Sequence, residues 1–296
     1  MRSENNSSIV AVWISLISNV ILTVLKIVVG VLFQSQVLVA DGIHNAGDVI
    51  ATAAALSSMR ISKRPADKDH PYGHGKAEVL GSAFVAIILG LAAIYMGYHA
   101  VIAFTEEPGH ASVVALIAAV ISLVWKQALY VYTIRLGKVA GSKALIATAY
   151  DHLADVYASL AAVIGIGLAM LGELYDIRYF MYGDPAAGVI VSLLVLKLAY
   201  EMGQEAIDIL MEKNVGEDKL GAYAQQIMAV PHVKRIDRLR AREHGHYILV
   251  DVRVSIPAEL SIQEGHDISR QIKKSVMDRN NDVDEVLIHL NPWYEE

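Results

Sequence analysis

The chain of 296 residues carries a net charge of −6, is 54% hydrophobic and 19% charged, and contains no cysteine. Those values exclude disulfide and thiolate-metal chemistry, give no footing for nucleic-acid binding, and leave too little charge for an ordinary soluble domain. Mean hydropathy is +0.41, yet charge is nearly absent from residues 9–33 and 79–104 and dense in 212–296, so a membrane half precedes a soluble tail.

The first apolar run, Ile9 to Phe33, is too long for a signal-peptide core and lacks a small-residue cleavage site. It reads as the first of six stretches near the roughly 20 residues that a spanning helix requires: 9–33, 36–59, 79–104, 111–134, 144–171 and 184–210. The second and fifth are less hydrophobic and contain acids. Arg60, Lys63, Arg64, Lys68 and Lys76 follow the second helix, and Arg135, Lys138 and Lys143 follow the fourth. The opposite loops hold only Arg178. The basic side is therefore expected to be cytoplasmic, with both termini on it. This makes the chain a multi-pass protein of the cell membrane.

Past Glu212 the pattern changes. Residues 216–229 predict an amphipathic helix ending before Pro231, 233–243 and 246–256 strands, 261–280 a second helix and 283–290 a third strand. Ile248, Val250, Val252, Val254 and Ile256 alternate with Leu249, Asp251, Arg253 and Ser255, the period of two of a strand with one buried face. The fold expected is an α-helical membrane bundle of six transmembrane helices (1–211) followed by a cytosolic α+β domain (212–296) of order α-β-β-α-β.

Asp41, His44 and Asp48 share one face of the second helix at i, i+3 and i+7, and Asp151 and Asp155 share one face of the fifth at i and i+4. Ionisable groups at membrane depth are costly and mark ion pathways. Asp48 lies twelve residues from Arg60, and Asp155 twelve from Lys143. At 1.5 Å per residue both stand roughly 18 Å from the basic side, near the middle of a bilayer core of about 30 Å. His44, Asp48, Asp151 and Asp155 can thus converge on one cation, and four N/O donors suit Zn²⁺ while tolerating Fe²⁺, Mn²⁺ or Co²⁺. The alternative is that the acids pair with Lys26, Lys126 or Lys197 as structural ion pairs. Asp41 would line an exit path, and His152, turned about 100° from its neighbour, would pack. Asp67, His70 and His74 form a second ligand cluster in the loop after the second helix, the alternative being a solvated loop at the lipid surface.

With Ala40–Asp48 (ADGIHNAGD), His70–Glu78 (HPYGHGKAE) and Tyr150–Asp155 (YDHLAD), the chain resembles the cation diffusion facilitator family over nearly its whole length. The resemblance implies a homodimeric exporter of divalent metal ions, not an enzyme, with a ferredoxin-like tail. Its transport site would map to His44, Asp48, Asp151 and Asp155, and a second site to Asp67, His70 and His74. A tail site at the dimer interface would map to Asp237, Asp251, His266 and His289. Asn291 stands where that family has an Asp. Lys76 and Glu212 match a salt bridge locking two protomers. Zn²⁺ is the first expected cargo, with Fe²⁺, Mn²⁺, Co²⁺ and Cd²⁺ as alternatives; Asp151 stands where many zinc-transporting relatives carry His, and relatives richer in His tend toward zinc while those with Asp or Asn tend toward manganese. Protons moving the opposite way through the bilayer would drive export, since donors must be deprotonated to bind metal. The competing readings are a membrane-anchored metal sensor and a metalloenzyme. His232, His244 and His246 are assigned no role.

Overall fold

The computed structural model describes residues 2–62, 64–107, 110–140 and 143–294; Lys63, one of the basic loop residues, lies outside them. Residues 1–54 with 84–203 form one compact unit, and residues 55–83 with 204–296 form another. Segment 55–83, with the polar loop after the second helix, belongs to the same compact unit as residues 204–296.

The long helices are α1 (Arg2–Leu32), α2 (Gln36–Ser62), α3 (Lys76–Ile102), α4 (Val113–Ala140), α5 (Lys143–Tyr175) and α7 (Gly183–Leu210), with a single turn, α6 (Arg178–Met181), between the last two. Among the described residues, α1, α3, α4, α5 and α7 are long and apolar enough to cross a bilayer. α2 has the length, at 27 residues, but Asp41, His44 and Asp48 keep its composition below that mark. On α3, Val85, Leu89, Ala93, Met96 and Ala100 face the bundle, while Phe84, Ile87, Leu91, Ile94 and Tyr98 face outward. A helix apolar on both faces has lipid as its second solvent.

Small side chains let these helices approach closely. Ala40, Ala93, Ala115, Ala118, Ala119, Ala162, Ala187 and Ala199 belong to one core cluster with Val37, Leu38, Val85, Leu89, Ile166, Val191 and Val195. At Gly42 a β-carbon would stand 2.8 Å from Ile27 Cγ1 and 3.0 Å from Lys26 Cβ, so only glycine lets α2 lie this close to α1. That approach sets Asp41 against Lys26.

In the second unit, α8 (Glu217–Met228), β1 (Arg235–Glu243), β2 (Ile248–Pro257), α9 (Ile262–Met277) and β3 (Val283–Trp293) follow the expected order. β2 is central, antiparallel to β1 and parallel to β3, and α9 is the crossover that a parallel pair requires. α9 starts in a capping box: Ser261 Oγ accepts from the Glu264 amide, and the Glu264 carboxylate accepts from the Ser261 amide. Ile248, Val250, Val252, Val254 and Ile256 point into a core shared with Tyr223 and Ile227 of α8 and Ile268, Ile272 and Val276 of α9. The other sheet face carries Asp251 and Arg253. A bulge between Ile236 and Arg238 leaves Asp237 outside the regular pairing of β1 with β2.

The turn between β1 and β2 meets the loop preceding α3 within this unit. Gly245 has φ +77°, and a β-carbon there would collide with the Gly75 carbonyl. The Tyr247 hydroxyl donates to the Tyr72 carbonyl at 2.5 Å. Both observations fix the loop backbone on the turn.

Candidate metal centres

α2 and α5 bring three of the four expected transport ligands together. His44, Asp48 and Asp155 each present a ligand atom within 4.8 Å of the others. His44 Nε2 lies 3.3 Å from Asp155 Oδ1, an oxygen that is buried with no hydrogen-bond partner, as is His44 Nδ1. Asp151 does not join them. It sits one turn nearer the Lys143 end of α5, at the surface, because an i, i+4 pair shares a face without sharing a depth: the offset is about 6 Å along the helix.

Asp155 has a second partner. Lys126 of α4, fully buried, donates to Asp155 Oδ2 at 2.5 Å and to Asn19 Oδ1 of α1 at 2.7 Å. Asp155 therefore turns one oxygen to an ammonium and the other toward His44 and Asp48. An ion pair and a metal ligand had been set against each other as alternatives, and here one carboxylate is placed to serve both. His152 is buried, hydrogen-bonds Ser15 Oγ through Nε2 at 2.7 Å, and has Nδ1 3.9 Å from Asp155 Oδ2. It packs, as expected, beside the site.

Asp41 lies apart from this cluster. Lys26 contacts Asp41 Oδ2 at 2.7 Å and donates to Ser159 Oγ at 3.2 Å. Ser159 Oγ donates to the same Asp41 oxygen at 3.0 Å, leaving Ser122, 3.2 Å away, to donate to Ser159. Lys26 and Asp41 are both fully enclosed. Lys197, the third candidate counter-ion, instead pairs with Glu201 at an exposed position. Asn19, Ser122 and Ser159 were missed by the sequence reading. Only Ser159 left a trace there, at i+4 from Asp155 on the face the acids share.

The loop cluster forms as expected. Asp67 Oδ1 lies 3.4 Å from His70 Nδ1, and Oδ2 lies 3.5 Å from His74 Nε2. The imidazole centroids are 4.4 Å apart. The backbone amides of His70 and Asp69 donate to Asp67 Oδ1 at 2.7 and 3.0 Å. The His70 amide, foremost, holds the Asp67 carboxyl below its ordinary pKa. Two imidazole nitrogens and a carboxylate make a three-point N/O donor set.

A single chain does not gather the four tail residues. Asp237 accepts from Ser255 Oγ, Asn291 Nδ2 and Arg235 Nε, each at 2.8 Å, and Asp251 pairs with Arg242 at 3.2 Å. His289 is exposed on the open sheet face, whereas His266 rides on α9, the helix packed against the opposite face. Lys76 and Glu212 do pair, within one chain, at 2.7 Å, and Glu212 continues to Arg242 Nε at 2.9 Å. The Lys76 ammonium, foremost, holds the Glu212 carboxyl below its usual pKa.

The Cation efflux transmembrane domain family matches residues 12–211, and the Cation efflux protein, cytoplasmic domain family matches residues 215–293. The chain is 47% identical to the manganese efflux system protein MneP of Bacillus subtilis, over 96% of this chain and 95% of that one. It is 32% identical to MneS of the same organism, also a manganese efflux system protein, over 94% and 93%. A 30% identity to metal tolerance protein C1 of Arabidopsis thaliana covers 95% of this chain and 62% of that protein. A solved MamM CTD, 20% identical, spans 26% of this chain and 96% of its own, with a TM-score of 0.26.

Proposed function

Because the chain belongs to the cation efflux family and is thus a multi-pass membrane exporter of divalent metal ions, we propose that it exports Mn²⁺ as a proton-coupled homodimer. The observation that carries this reading is the buried cluster of His44, Asp48 and Asp155, in which Asp155 Oδ1 is turned toward His44 Nε2 at 3.3 Å. Two carboxylates and one imidazole form an oxygen-rich donor set, and carboxylate oxygens are ligands that suit manganese. A 47% identical relative bears the name of a manganese efflux protein, which supports Mn²⁺ over the Zn²⁺ first expected.

In this reading the ion arrives from the cytosolic side, meets Asp151 at the surface of α5, and passes to His44, Asp48 and Asp155. These groups bind metal only when deprotonated, so protons compete for the same atoms and can be exchanged for the ion. Lys126 holds Asp155 Oδ2, leaving Oδ1 as a single directed donor. It also reduces the net negative charge of the site and thereby favours release over retention. The Lys26–Asp41 pair lies apart from the cluster, fully enclosed. The loop residues Asp67, His70 and His74 hold a second ion in the unit that contains the tail.

Reconstituted proteoliposomes with a pH dye inside test this. Mn²⁺ uptake against a proton flow, exceeding that of Zn²⁺, Fe²⁺, Co²⁺ and Cd²⁺, is expected. Metal binding without flux would instead favour the sensor or metalloenzyme alternatives.

A further inference from the structure

The sheet of the second unit has one face away from α9, and that face is basic. Strand alternation and register set Arg238, Arg240 and Arg242 of β1 beside Asp251 and Arg253 of β2 and His289 of β3. Together they line a cavity of about 340 Å³. Arg238 stands directly opposite Arg253, and His289 is the neighbour of Arg253 on its other side. Like charges directly opposite on a sheet destabilise it. Of the nearby acids, Asp251 is the register partner of Arg240 and offsets part of this charge. Asp251 is engaged by Arg242 and Asp237 by Arg235, and among the described residues Arg238, Arg240 and Arg253 have no ion-pair partner. Such a concentration of guanidinium runs against the chain's net charge of −6.

A guanidinium is a planar fork of N–H donors matched to the oxygens of a phosphate, and several around one concavity match more than one phosphate. The cavity is at the lower end of small-ligand scale. No Trp, Tyr or Phe lines it, and Leu287 is its one exposed large apolar side chain. We propose that this pocket binds a soluble oligophosphate anion of the pyrophosphate or nucleoside-diphosphate class. The sign is opposite to a metal bridge between tails: a cation on this face would meet arginines. Two copies meeting across it on a two-fold axis would confront arginine with arginine unless an anion lay between them.

The test uses the full-length protein in detergent and metal-free buffer, titrated calorimetrically with pyrophosphate, with ADP and with short-chain phosphatidylglycerol. Saturable pyrophosphate or ADP binding that weakens as salt rises is expected. The double variant Arg238→Gln/Arg253→Gln should weaken it about tenfold or more, while Lys273→Gln on α9 should not. The double variant should melt no lower than wild type without anion, because its like-charge pair is gone, and should lose the rise in melting temperature that pyrophosphate gives. Should it fail to fold, Arg240→Gln alone must show the weakened binding. Absence of saturable binding, binding indifferent to these substitutions, or preference for the short-chain lipid overturns the proposal. Metal uptake by the same preparations is read in parallel without anion, so failure of this pocket is distinguishable from failure of export.

Discussion

Replacing Lys126 by Gln removes the ammonium from Asp155 while keeping similar bulk. Lys126 is fully enclosed and donates to Asp155 at 2.5 Å and to Asn19 at 2.7 Å. Taking one partner from a buried ion pair leaves an uncompensated charge and costs on the order of 3–5 kcal/mol, so the metal-free variant should melt well below wild type. The effect on metal runs the other way. An ion on Asp155 Oδ1 stands on the order of 5 Å from an ammonium held on Oδ2, where charges of +2 and +1 repel by roughly 6–7 kcal/mol at an effective dielectric of about 20. Lys126 can relax toward Asn19, so only part of this is recovered, but about 1.4 kcal/mol suffices for a tenfold change in affinity. Lys126→Gln should therefore bind Mn²⁺ at least about tenfold tighter, regain its lost melting temperature on adding Mn²⁺, and export more slowly because release is slower. In proteoliposomes KM and kcat should fall together. A raised KM, or a melting temperature indifferent to Mn²⁺, would refute the placement of Lys126 as a counter-charge to the transported ion.

Asp155→Asn and Asp48→Asn should each reduce Mn²⁺ uptake to background while gel filtration still reports the dimer, since each removes an anionic donor from the cluster. Asp151→Asn, outside the cluster, should raise KM severalfold and leave kcat within about twofold, as read from initial rates over a range of Mn²⁺ concentrations. Glu212 has a lowered pKa, so its contribution to stability is complete above its ordinary value of 4.5 and is lost as pH falls through the lowered folded value. Melting curves from neutral pH down to about pH 3 should show this loss, and Glu212→Gln should flatten it. Gly245→Ala, forced to a left-handed φ of +77° against the Gly75 backbone, should destabilise the second unit by about 1–3 kcal/mol. Chemical denaturation followed by Trp293 fluorescence measures it.

Helix and strand periodicity made most of the architecture legible before any coordinates. The expected strand at 246–256 is β2 at 248–257, and the expected helix at 261–280 is α9 at 262–277. Both carry strong periodic signals, an alternating one for β2 and a capped amphipathic one for α9. α6 was missed because a single turn has no period to read. The i, i+4 spacing of Asp151 and Asp155 gave the shared face, but how far each side chain reaches inward depends on neighbouring helices. Lys126 was visible as a lone charge in an apolar run, yet its partner could not be named until the pairing of α4 with α5 was known. The tail shows the reverse limit. Asp237 and Asp251 have the residue types of ligands, but Arg235 of the same strand occupies the first and Arg242 of the neighbouring strand the second, and the latter pairing needs the strand register.

The enclosed Lys26–Asp41 pair bears on how the exporter responds to membrane voltage. A buried ammonium and carboxylate that shift together carry no net charge through the field, so the pair adds nothing to the gating charge whatever its displacement. Each uncompensated elementary charge crossing the full field feels about 2.3 kcal/mol per 100 mV. The voltage dependence of a cycle built on this scaffold should then reduce to the charge imbalance between the ion and its counter-transported protons. Clamping proteoliposomes with potassium and valinomycin measures that imbalance as the slope of rate against potential.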